Sequence, residues 1–242
     1  TGGGVVLLSG NNSYTGATSI NGGSLVIQGP LSSALHSIAA GAVLDLSRTT
    51  SIGYSASTAF SGAGTLRKTG AGEVVWGSAT ATFSLSAGSL IDIREGIFVG
   101  GSYGNENWVN NQSDLNVEAG AVFKSVEANV RVNRITGGGT LGTGYSGAGY
   151  QNLTIGLGGG SSTFAGSITN TDNNPSFVGN VVKEGAGTII LTGASTYSGT
   201  TTINGGTLQL GNGSPGNDGA LSNTTGITNN AALVCNLANT QT

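Results

Sequence analysis

The chain has no methionine, three prolines, one cysteine and one histidine, and 8% of its 242 residues are charged. Each shortage excludes something. One cysteine, Cys235, cannot build an internal disulfide framework. Three prolines beside 45 glycines fit neither a collagen repeat nor a proline-stiffened linker. No stretch approaches the roughly 18 consecutive apolar residues of a membrane helix. A net charge of −3 and a pI near 4.9 offer nothing to nucleic acid or to an anionic membrane surface. No dense aspartate cluster and no GGxGxD nonapeptide speak for calcium, so no metal and no cofactor are expected. The chain starts without methionine or signal peptide, which predicts a piece excised or processed from something longer.

What is there is a short cassette: a turn ending in Gly or Asn, then an alternation of small or polar residues with apolar ones. It occurs as Gly22–Ile27, Gly41–Leu46, Gly88–Ile93, Gly205–Leu210 and Asn230–Cys235. Strand residues two apart face the same way. Leu25/Ile27, Leu44/Leu46, Ile91/Ile93, Leu208/Leu210 and Leu233/Cys235 are therefore expected to line one buried face, with Cys235 a packed thiol. Val26, Asp45, Asp92, Gln209 and Val234 are expected to point outward. Cassettes roughly 19–25 residues apart suit one coil of a β-solenoid, and the length allows about eleven coils. Glycine and asparagine at the corners supply the left-handed or crowded conformations that β-branched residues resist. Helical period is weak everywhere; Leu31–Ala40 is the one soft candidate.

The chain also repeats at long range. Gly3–Ile27 lies on the second half of Gly185–Leu210 at an offset of about 183 residues, pairing Leu8 with Leu191, Tyr14 with Tyr197 and Asn21-Gly22-Gly23 with Asn204-Gly205-Gly206. Lys183–Leu208 reads K-x-G-A-G-T, apolar pair, L-T-G, then T-Y-x-G-x-T-x-I and G-T-L. A degenerate copy starts at Lys68, and the copy at Gly3–Leu25 lacks its lysine. This run resembles the passenger-associated transport repeat of bacterial autotransporter (type V secretion) passengers, and Ala220–Leu237 is similar to the extension that follows it. The resemblance covers about half of the chain with its extensions. It implies a right-handed parallel β-helix, secreted across the outer membrane and displayed at, or shed from, the cell surface.

On this basis the chain reads as one continuous solenoid: 1–97 with the first repeat copies, 98–152 an irregular excursion, and 153–242 with the best-matching repeat. The excursion holds Tyr103, Trp108, Tyr145 and Tyr150 in polar, Asn-rich runs, where aromatic rings could stack on a glycan or pack a partner surface. They could equally close an irregular coil.

Other candidates weaken on inspection. The GxGxxG matches at Gly137–Gly142 and Gly142–Gly147 lack a strand-then-helix context, and chance supplies one or two in so glycine-rich a chain. Gly100–Gly104 fits GxSxG, but His36 lies upstream, against the order of that hydrolase fold, and is placed in a turn. Asp45 and Asp92 occupy equivalent cassette positions and could act as a carboxylate pair, yet roughly 10 Å must separate their backbones. Arg94, Glu95, Glu118, Glu127, Arg131 and Arg134 read as mixed surface charge. The N-x-S/T sequons at Asn11, Asn111, Asn152 and Asn223 are what such a composition produces.

The expectation is an extracellular structural and adhesive solenoid with no catalytic residues. Its partners would be neighbouring repeats or subunits at uncapped ends, and a host or surface glycan or protein. A self-assembling filament or sheath subunit and a polysaccharide-degrading β-helix enzyme are the alternatives from other classes.

Overall fold

The computed structural model describes residues 3–238 apart from 78, 103, 105, 150 and 151. All pairings between strands in this region are parallel, and the chain winds through three faces in constant order. The first face is one eleven-stranded sheet running from Val5–Leu8 to Ala232–Cys235. The second is split into two five-stranded sheets, the break falling between the strands Glu106–Asn107 and Val130–Arg131. The third has six strands from Ile52–Gly53 to Ser167–Thr169, then a separate pair, Ala194–Ser195 and Ala220–Leu221. Eight turns carry a strand on every face, and the rungs before and after them are incomplete. The parallel β-solenoid is thus present, with fewer complete turns than the about eleven coils that cassette counting suggests.

The period varies, which a strict repeat would not allow. Register advances 19 residues from Val5 to Ser24 and 27 from Ser162 to Ile189, so loops are inserted at corners while the rungs stay aligned. The cassette phase holds in the interior: Leu44, Leu46, Ile91, Ile93 and Leu208 are fully buried. It fails at the last described rung, where Cys235 is exposed: its strand is the outermost of the long sheet, and among the described residues no further rung covers it. The first strand is open for the same reason, with Val5, Val6 and Leu7 exposed by 69%, 58% and 54%. The segment 31–40 forms the strand Leu35–Ile38 rather than a helix, and His36 lies in it, buried, not in a turn. Register sets His36 beside Phe60, and the chain of ring contacts continues through Phe83 to Trp108. A second run, Tyr54–Trp76–Phe98–Phe123, comes from the third face, and edge-on contacts such as Phe60–Trp76 join the two. These two columns fill the interior from His36 to Phe123; beyond them the core is mainly aliphatic, with Phe164 and Tyr197 the large buried rings.

Glycine is required where two coils touch at a corner. Gly62 has φ +99°, and a Cβ there would sit 2.2 Å from the Ile38 carbonyl oxygen of the preceding coil. Gly137 occupies the same situation against Val117, with φ +95° and 2.0 Å.

Candidate functional site

The lysine of the K-x-G-A-G motif is the first functional-looking group that the fold explains. Lys183 points into the interior, fully buried, and its Nζ donates to the carbonyls of Glu184 (2.5 Å), Gly185 (3.0 Å) and Gly205 (2.9 Å). Lys68 does the same with Thr69 (2.9 Å), Gly70 (2.5 Å) and Glu95 (3.2 Å). An ammonium has three N–H bonds, and each is used. Two acceptors belong to the lysine's own corner and one to the next coil, so the charge staples consecutive turns. Burial pulls Lys68 down to about 8 despite Asp45 and Glu95 nearby, and Lys183 is lowered for the same reason. The two motifs sit at different corners. Lys68 is next to last in a strand of the long sheet, whereas Lys183 ends a strand of the second face. The motif is therefore a portable corner and does not mark one position in the coil.

The tyrosine of the repeat is also structural. Tyr197 Oη lies 2.5 Å from Thr201 Oγ1 in the interior, and its counterpart Tyr14 lies 3.1 Å from Thr18 Oγ1. Burial pushes Tyr197 up to about 12.

Asp45 and Asp92 do share the outer face of the long sheet, with Arg67 between them in register. Asp92 is not a solvated face residue, however: it is 2% exposed. Its Oδ2 takes Arg67 Nε at 3.0 Å and Arg94 Nε at 2.8 Å, and Oδ1 takes Asn116 Nδ2 at 3.0 Å. Burial pushes its carboxyl upward, but Asn116, Arg94 and Arg67 outweigh it and hold Asp92 below the usual range. Asp45 moves the other way, raised by burial against the Thr69 hydrogen bond and the nearby Arg67, Lys68 and Arg94. Divergent carboxylates can signal acid–base work. Here both Asp92 oxygens are engaged, which leaves no place for a water to be activated, so the column reads as a polar ladder.

The four aromatic candidates fare unequally. Tyr103 and Tyr150 lie outside the described residues. Trp108 is 1% exposed; its ring stacks on Phe83 with centroids 4.0 Å apart and its Nε1 donates to the Gly100 carbonyl at 2.7 Å. One face on Phe83, an edge-type contact with Phe123 and the polar Nε1 are all committed to the core, so Trp108 is a core residue and not a surface platform. Tyr145 is half-buried on the loop after Thr140–Gly142 and packs on Phe177, 4.8 Å between centroids. Phe177 belongs to a second inserted loop, 170–179, which sequence reasoning missed. Its signal was the lengthened period there.

A cleft sequence reasoning also missed opens where the second face is broken. Between Leu115 and Ile135 register advances only 20 residues, against 24 from Leu90 to Asp114 and 27 from Gly137 to Phe164. Beside this short coil lies a hollow of about 350 Å³. Val109, Asn111, Gln112, Arg131, Asn133 and Leu157 are among the residues that line it. The lining is pinned: Asn133 Nδ2 donates to Asp114 Oδ1 (2.9 Å) and its Oδ1 accepts from Gly158 N (2.8 Å). Asn111 Nδ2 donates to Ser113 Oγ (2.9 Å) and to the Arg131 carbonyl (2.8 Å). Val109 stands 72% exposed at the rim. Among the described residues no group of three or more His, Cys, Asp or Glu could hold a metal, and no helix is long and apolar enough to cross a membrane.

The family model described as passenger-associated-transport-repeat matches residues 1–27 and 181–210, the stretches that hold the Tyr14–Thr18 and Tyr197–Thr201 pairs and, in the second, Lys183. The chain carries these repeats. It is also 35% identical over 210 residues to the adhesin BmaC autotransporter of Brucella suis biovar 1 (strain 1330). That alignment covers 85% of this chain and 5% of the relative, so the chain spans about a twentieth of that protein's length. No solved structure matches.

Proposed function

We propose that this chain is a surface-displayed or released extracellular segment of an autotransporter passenger, a rigid stalk with adhesive contacts on its middle coils and no catalytic centre of its own. The observation that carries this reading is the 35% identity, across most of the chain, to a protein named as an autotransporter adhesin. The adhesive stretch is placed at 98–152 together with the inserted loop at 170–179, since long insertions on a solenoid are free to vary while its rungs are not. Half-buried Tyr145, beside Phe177, is the described aromatic candidate that keeps a surface role.

The reading is tested by coating a surface with the purified chain and measuring attachment of host cells or matrix, with free chain as competitor. Saturable attachment that free chain displaces is expected. Attachment no better than to an unrelated solenoid would remove adhesion from the account.

A further inference from the structure

The eight cationic side chains can be sorted by what each one does. Arg67 and Arg94 bind Asp92, Arg134 binds Asp114, and Lys124 pairs with Asp172 and Glu73. Lys68 and Lys183 are saturated by carbonyls. Arg48 has Nε and Nη1 buried in the interior without a bonded partner. Arg131 remains. It sits outward on the strand Val130–Arg131, half-buried, and among the described residues no carboxylate pairs with its guanidinium. It lines the cleft described above.

We propose that this cleft binds a carboxylate-bearing sugar, a hexuronate unit of an acidic saccharide, with Arg131 taking the carboxylate. A guanidinium presents a planar fork of donors that a carboxylate matches with two parallel hydrogen bonds. Gln112 is exposed on the wall, and its side-chain amide can both give and accept hydrogen bonds with ring hydroxyls. Val109, Ala87 and Leu157 supply small aliphatic surface for the C–H face of a sugar ring. The hollow, about 350 Å³, is at the small end of the range for ligand pockets, the scale of one or two sugar units. The lining is already organised, because Asn133 spends its amide on Asp114 and Gly158, and Asn111 commits its Nδ2 to Ser113 and the Arg131 carbonyl, so little ordering is left for binding to impose. A sugar fits better than an acidic peptide side chain, since Gln112 and the aliphatic surface beside Arg131 match the ring hydroxyls and C–H face that a carboxylate side chain lacks. Two depressions over Ile97 and Val122 also hold cations, but Lys124 is in its ion pair with Asp172 and Arg94 is bound to Asp92.

This proposal deepens the adhesive reading and rests on it only for its biological setting; the binding test stands alone. Oligogalacturonate, its methyl ester, free glucuronate and poly-glutamate are titrated into the intact chain by calorimetry. The same titrations are run on Arg131→Gln, Gln112→Ala and Val109→Asp. Val109 and Gln112 are exposed and Arg131 is half-buried, and thermal unfolding checks that each variant keeps its fold. Expected are saturable binding of oligogalacturonate, at least tenfold loss in Arg131→Gln and in Val109→Asp, a smaller loss in Gln112→Ala, and a similar loss on esterifying the ligand. Weaker binding of free glucuronate in the same Arg131-dependent manner supports a polymer as the natural source. Absence of binding, binding unchanged in Arg131→Gln, or preference for poly-glutamate overturns the proposal. Cell attachment that persists in Arg131→Gln while no saccharide binds would sink this inference and leave the adhesive stalk standing.

Discussion

His36 shows what a single residue costs when its neighbours are fixed by register. The ring stacks on Phe60 at 5.3 Å, Nδ1 lies 3.1 Å from Thr58 Oγ1, and Nε2 is buried without a partner. Burial lowers its pKa to about 4, against a smaller upward pull from the Ala59 backbone. The unfolded imidazole titrates near its ordinary 6.5, so between these values the unfolded chain binds the extra proton. Stability linked to His36 is whole above about pH 6.5 and drains away as the pH falls toward 4, by about 3 kcal/mol in all. His36→Phe continues the column of rings with a group that does not titrate. Chemical denaturation at pH 7 and pH 4.5 checks this: the variant is expected to lose clearly less stability than the parent over that interval, and equal losses would show the proton goes elsewhere. Nothing in the sequence flagged this residue as interior, because a lone histidine between Leu35 and Ser37 has no apolar pattern of its own. Only pairing with Phe60 in the next coil discloses its side.

At the scale of elements, the corner is the unit that the sequence states most fully and explains least. K-x-G-A-G was legible as a repeat, down to its two copies, and the alternation of Leu208 and Gln209 was legible as an inward and an outward face. The reason for the lysine was not, since its three acceptors are backbone carbonyls and one of them, Gly205 or Glu95, lies on the next turn. Lys183→Met keeps the apolar stem and deletes the ammonium, leaving three carbonyls short of a donor. A loss of about 3 kcal/mol in unfolding free energy is expected, since charge-assisted hydrogen bonds and the desolvated groups they satisfy are each worth about 1–3 kcal/mol. Urea denaturation measures it; a change below about 0.5 kcal/mol would mean water takes the place of the ammonium. The cleft was likewise illegible: it arises from a difference in length between adjacent coils, and no motif records that. Asp92 was legible in direction, outward, but not in burial, which depends on Arg67 and Arg94 folding over it.

For the molecule as a whole, charge is confined to the middle. All eight lysines and arginines lie between Arg48 and Lys183, and beyond Glu184 the sequence has a single ionisable acid side chain, Asp218. The rungs at either side of that middle hold together through backbone pairing, aliphatic contact and uncharged side-chain hydrogen bonds such as Thr18–Ser33, Thr201–Thr224 and Asn230–Asn204. Because every pairing is parallel and in register, the hydrogen bonds between coils point along the axis of the rod. A load applied between its two ends therefore falls on one rung at a time, like a tape peeled from its roll. Each turn that lets go frees 19 to 27 residues, or roughly 60–90 Å of extended chain at about 3.3–3.6 Å per residue. Single-molecule pulling is expected to give a train of small steps of that length, with the coils stapled by Lys68 and Lys183 holding longest; one abrupt rupture of the whole rod would contradict it. A bacterium tethered by such a rod would be held by a line that pays out under shear and spares the contact at its far end.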